Sequence, residues 1–275
     1  MGLRLLLLDR NVVNAVKRCV AGCYLESNKR SFIRGLDKSR NIISPILSVI
    51  EGQSGERESE EAIKDTLKKE TAAVRGYFKQ ARTDSNFFLS DEEKNHFAEV
   101  FSNNIENSWD RYISFVKEVG PILFQPVSSS SKAAVESQLF DLAKKNQVQV
   151  SHPVFIVSLA VLYGHKGARR TLKPKASYSS VDQKDRAAYN VVSDLIVISR
   201  MSMIWSVLRD NEKHFGYVKF VTFDKGLLSI INAMTVKEEA AHPNGGVSVK
   251  ISYSRQLFPD LDDSGYYKLL NSLDV

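Results

Sequence analysis

The chain has 275 residues, 43% of them hydrophobic and 25% charged, with a formal net charge of +6. Those proportions exclude a disordered or low-complexity chain and allow one elaborated domain or two modest ones. The longest apolar run, HPVFIVSLAVLYG over residues 152–164, is shorter than the ~20 residues of a membrane span. Two cysteines, Cys19 and Cys23, cannot make a disulfide framework, so a cytoplasmic protein with no membrane partner is the expectation.

The first stretch, MGLRLLLLDRNVV, does not read as a secretory signal, because Asp9 ends the apolar run after Leu8. Residues 3–8 are expected to form a buried strand with Asp9 at its carboxyl end, the end at which open parallel sheets bind ligands. Val12, Val16, Cys19, Val20 and Cys23 follow at helical spacing. Residues 27–40 are polar and basic and read as a loop. NIISPILSVIEG, residues 41–52, then predicts a short apolar lead-in, a Ser44 cap, Pro45 in the first turn, and a helix of one to two turns closed by Glu51 and Gly52.

From residue 53 to about 120 the composition shifts to Glu, Lys, Asn and Ser, and a helical insertion is expected. Ser90 with Glu93 forms a capping box. The stripe Phe97, Phe101, Ile105, Trp109, Tyr112 and Phe115 predicts helix–helix core. A capped helix should run over 131–145, and 153–164, apolar on all sides, should be a buried helix, with a strand as the alternative. HKGARRTLKPKASYSSV, residues 165–181, carries Lys166, Arg169, Arg170, Lys173 and Lys175 without an acid, and Gly164, Gly167 and Pro174 mark it as a loop. It reads as a flexible segment touching phosphates beside a nucleic-acid channel, or as a solvated basic loop. A long amphipathic helix is expected from 182, then a strand over 217–222 with Asp224 just past its end, then a helix. GGVSVKISYS reads as a further strand before a short helical tail.

Two strands thus end in carboxylates. Hard divalent ions such as Mg²⁺ take carboxylate oxygens, and phosphodiester hydrolysis uses such ions. The blocks LLLLDRNVV, IISPILSVIEG, AYNVVSDL and FVTFDKGL, in this order, resemble the four acidic blocks of PIN-like nucleases. The resemblance implies a PIN-like three-layer α/β fold with a central, mainly parallel sheet and a large helical insertion. Residues 1–52 and 151–275 would form the two parts of the core and 53–150 the insertion. It implies Asp9, Glu51, Asp194 and Asp224 as the catalytic, metal-holding acids, Asn11 and Thr222 as their polar neighbours, and Mg²⁺ or Mn²⁺ as cofactor. Asn190 lies one turn before Asp194 on the same face, and Lys225 joins the candidate phosphate contacts. Glu56, Glu58, Glu60 and Glu61 are rivals of Glu51. Asp182 and Asp185 are rivals of Asp194, which is preferred because it interrupts an apolar face.

The implied activity is that of a metal-dependent endoribonuclease cutting RNA, with DNA as the other substrate, in a toxin or phage-defence setting. A homodimer or an inhibitory partner protein would be its companion. Two other readings stand beside it. One is a non-catalytic nucleic-acid- or partner-binding protein on the same scaffold. The other is a haloacid-dehalogenase-type phosphatase, which Asn11 disfavours by standing where a second Asp would serve as general acid. For Asp9 and Asp224 the plain alternative is an acid capping the helix that follows a strand. On the catalytic reading, Asp9→Asn should leave folding intact or improve it, because crowded carboxylates repel.

Overall fold

The structure, a computed structural model, describes residues 3–50, 59–83, 109–210, 217–241 and 247–273. Its elements are β1 (Arg4–Leu8), α1 (Arg10–Val20), α2 (Ser27–Arg34), β2 (Asn41–Ser44), α3 (Ile46–Ile50), α4 (Glu60–Tyr77) and β3 (Arg82–Thr83). Then come α5 (Trp109–Leu123), α6 (Lys132–Lys145), α7 (Pro153–Leu162), α8 (Lys166–Leu172) and α9 (Val181–Asp210). The chain continues through β4 (Tyr217–Val221), α10 (Lys225–Asn232), β5 (Met234–Ala241), β6 (Val247–Tyr253) and α11 (Asp263–Ser272). The fold is α/β, and contacts gather it into two compact units, Met1–Ile105 with Asn211–Phe223, and Glu106–Asp210 with Asp224–Val275. Among the described residues no helix is long and apolar enough to cross a membrane.

The first unit is built on a four-stranded sheet in the order β3-β2-β1-β4, every neighbouring pair parallel. Parallel strands are covered on both faces and therefore read as unbroken apolar runs. That is why Leu5, Leu7 and Leu8 of β1, together with Ile42 and Ile43 of β2, are wholly buried. Val12, Val13, Ala15 and Val16 turn α1 onto this sheet, where they meet Leu6, Leu8, Ile43, Val74 and Val221. The helix ends at Gly22, whose φ of +69° lets Cys23 N–H bond back to Arg18 O at 2.9 Å. Val20 is consequently exposed and Cys23 lies beyond the helix, so the expected stripe stops at Cys19. Within the stretch expected to be loop, Ser27–Arg34 forms α2, anchored by the buried Ile33. Ser44 caps α3 as expected, its Oγ accepting from Ile46 N–H at 3.3 Å. Helix α4 packs its Ile63 and Leu67 on Val49 of α3.

The second unit is helical apart from the antiparallel pair β5–β6. Helix α7 is buried along its whole length, which explains an apolar stretch with no polar face. Phe155 of α7 meets Phe140 of α6 at 4.9 Å and Phe115 of α5 at 6.1 Å between ring centroids. The described part of the aromatic stripe is thus helix–helix core. Trp109 meets Tyr189 and Tyr112 stacks on His152, while Phe97, Phe101 and Ile105 lie outside the described residues. Helix α9 is not simply amphipathic, because Val191, Val192 and Leu195 to Ile198 are buried around most of its circumference.

The basic segment 165–175 requires a correction. Its first part is not a flexible loop but α8, capped by His165, whose Nδ1 accepts from Ala168 N–H at 2.9 Å. Gly167 marks a close approach rather than a turn. A Cβ there would stand 1.8 Å from Ser229 Oγ, and one on Gly226 would stand 2.9 Å from Gly167 O, so α8 and α10 pack nearly backbone to backbone. Lys173 closes the helix in the left-handed conformation, with φ +46°.

Candidate functional site

The strand order places a crossover point at β1. The chain lays β2 and β3 on one side of β1 and returns β4 to the other. In open parallel sheets, ligands bind outside the carboxyl ends of the strands at such a point. There Asp9 follows β1 and Thr222 follows β4, and their backbones stay paired through Asp9 N–H to Val221 O at 3.0 Å.

Asp9 is only 5% exposed. It is the N-cap of α1, with φ −70° and ψ 156°, and its Oδ1 accepts from Arg10 N–H at 2.8 Å. Its Oδ2 accepts from the Asn11 amide and from the Thr222 hydroxyl. Asn11 Nδ2 also donates to Thr222 Oγ1 at 3.0 Å, and Asn11 Oδ1 accepts from Phe223 N–H at 3.0 Å. These donors and acceptors determine the residue types. An amide at position 11 can give to a carboxylate and a hydroxyl while receiving from the backbone, whereas a carboxylate there has nothing to give. Asp9, Asn11 and Thr222 therefore come together as one network.

The other expected acids are placed differently. Glu51 lies outside the described residues. Asp194 is partly buried in α9 and pairs with Lys173 Nζ at 3.7 Å in the second unit. Asp224 is the N-cap of α10, its Oδ1 accepting from Leu227 N–H at 2.9 Å. Capping, the plain alternative for Asp9 and Asp224, thus holds for both. Asn190 is exposed. Among the described residues no group of three or more His, Cys, Asp or Glu is gathered as a metal ion needs.

The basic residues divide by what they touch. Arg169 NH1 donates to Leu123 O at 3.0 Å and Phe124 O at 3.1 Å, capping the last carbonyls of α5. Lys175 lies over the Tyr178 ring at 5.4 Å. Lys166, Arg170 and Lys225 are exposed. Arg169 is thereby a structural residue as well as a cation.

Sequence reasoning missed one acid. Glu70 of α4 has a side chain only 1% exposed, with Lys17 Nζ at 3.6 Å. Burial pushes its carboxyl above the ordinary value, against the opposing charges of Lys17 and Arg10. The signal was present, since Ile63, Leu67, Glu70 and Val74 share one helical face whose other members are core. Polar neighbours on both sides in KKETAAV hide it.

Compared with family models, curated proteins and solved structures, the chain matches none.

Proposed function

We propose that the chain is a metal-dependent nuclease of PIN-like type, acting on RNA, with Asp9 as the anchoring acid. The supporting observation is the Asp9–Asn11–Thr222 network at the carboxyl ends of β1 and β4, where a parallel sheet presents ligands. The donor chemistry fits a hard divalent ion such as Mg²⁺ or Mn²⁺, because the acids named by the resemblance are all carboxylates. On this reading Asp9, Glu51, Asp194 and Asp224 hold the ion. Asn11 and Thr222 fix the Asp9 carboxylate, while residues 60–83 of the expected insertion instead supply α4 and the sheet's edge strand β3. When bound, the ion would polarise the phosphate and activate water.

A specific observation favours a second reading, a nucleic-acid-binding protein without catalysis. Asp9 and Asp224 both serve as helix caps, which by itself accounts for an acid after a strand.

One experiment separates them. Purified protein is incubated with single-stranded RNA and DNA in Mg²⁺, Mn²⁺ or chelator, beside Asp224→Asn. Asn caps as well as Asp, so folding is spared while the charge is removed. The nuclease reading expects metal-dependent cleavage that Asp224→Asn abolishes at an unchanged melting temperature, and an upward shift of that temperature by Mn²⁺ in the wild type alone. Binding of RNA with no cleavage in any metal overturns it in favour of the binding protein, and cleavage that survives in Asp224→Asn overturns the four-acid site.

A further inference from the structure

At the other end of α1 the first unit holds a cavity of about 460 Å³ with no part in the reading above. Its walls include Cys19, Arg30, Arg34, Asp37 and Tyr77. The distance along α1 from Asp9 to Cys19 is about 15 Å at the helical rise of ~1.5 Å per residue. The volume falls within the ~300–1,000 Å³ usual for small-molecule sites.

The cavity's charge is arranged for an anion. Arg30 and Arg34 stand one turn apart on α2, a like-charge spacing that weakens a helix unless something negative lies between them. Among the described residues neither forms an ion pair with an acid. The one acid in the wall, Asp37, is already used. Its Oδ1 accepts from Gln80 and Ala81 N–H at 2.8 Å, and both oxygens accept from Lys79 N–H at 3.1 Å. Those amides hold the carboxyl below its usual range despite its partial burial. Asp37 thus ties the end of α4 to the cavity floor instead of neutralising the arginines. Tyr77, its ring edge-on to Phe78 at 5.1 Å between centroids, adds an aromatic wall beside the two arginines.

We propose that this cavity binds a small phosphate-bearing ligand, its phosphate held between Arg30 and Arg34. Planar guanidinium forks suit phosphate oxygens, and the volume leaves room for a group of mononucleotide size beyond the phosphate.

The chain's two cysteines both line this cavity, so thiol reactivity reads its occupancy directly. The reaction of Cys19 with a chromogenic disulfide is followed in a Cys23→Ser background, with inorganic phosphate, a ribonucleoside 5′-monophosphate, or the unphosphorylated nucleoside. Both phosphate compounds are expected to slow the reaction saturably, about tenfold at ten times the dissociation constant by mass action. The nucleoside is expected to have no effect. Arg30→Ala with Arg34→Ala should abolish protection, while a normal melting temperature and unliganded thiol rate show that the variant is folded. Absence of saturable protection by either phosphate compound, equal protection by the nucleoside, or protection that survives the double substitution overturns the proposal.

Discussion

Replacing Asp9 by Asn turns the hydrogen bonds of the candidate site into a measurable energy. The new side chain keeps its size and still accepts from Arg10 N–H through Oδ1. An NH₂ group, however, now stands where Oδ2 accepted from Thr222 and Asn11. Thr222 can turn its hydroxyl to accept, but the Asn11 amide then faces another donor. One buried donor left without a partner costs about 1–3 kcal/mol, and neutral bonds are weaker than charge-assisted ones by roughly 1 kcal/mol each. The expected loss is about 3 kcal/mol, or about 6 °C in melting temperature at ~2 °C per kcal/mol for a chain of this length. Thr222→Val should cost about 2 kcal/mol, and the double variant less than the sum, with a coupling of roughly 1–2 kcal/mol. Urea titration and thermal melting in chelator measure all three. An Asp9→Asn protein as stable as the wild type or more so, with no coupling to Thr222, would refute this reasoning. It would show instead that relief of the buried negative charge outweighs the lost hydrogen bonds.

Other expectations concern single groups. Burial holds the His152 imidazole down to about 4, against 6.5 for the free side chain. The protein's stability should therefore fall as pH drops from about 6.5 toward about 4. His152→Asn, which keeps an acceptor for Val154 N–H, should flatten melting temperature over that window. Glu70 is displaced the other way, so between its raised value and 4.5 the folded state binds the extra proton. The stability of the wild type relative to Glu70→Gln should rise as pH falls through that window, which paired melts can read. Arg169→Ala should cost about 1–2 kcal/mol by uncovering the end of α5. Exposed Arg170→Ala should stay within about 0.5 kcal/mol, so chemical denaturation separates a capping arginine from a merely basic one.

What the sequence discloses depends on how local the cause is. The apolar run of β1, the Ser44–Pro45 helix start and the buried α7 are set by their own residues, and the structure has them as expected. Helix α8 was hidden because its glycine answers a distant partner, Ser229 on α10, and no local signal separates that use from a turn. Strand β3 has only two residues, too few to show a period, and exists because β2 offers it an edge. Strand β5 forms on β6 through a sequence, MTVKEEAA, that reads equally well as the end of a helix. At the site, the positions of Asp9 and Asp224 after strands were legible. Their work as caps was not, because capping a helix and holding a metal ask for the same carboxylate at the same turn.

The pairing of β1 with β4 also governs how the chain can fold. The hydrogen bond from Thr222 to Asp9 joins residues 213 apart in sequence, and the whole β1–β4 register depends on the same closure. During synthesis at ~5–20 residues per second, the leucine-rich edge of β1 waits roughly 10–40 s for its partner strand to be made. Throughout that interval it can pair only with β2, and its other edge stays open to any passing extended chain. The last strand of the sheet is thus the slow step of assembly. A truncation before residue 217 should leave an aggregating chain rather than a smaller folded one, and yield should depend strongly on temperature and on chaperones that shield open strand edges.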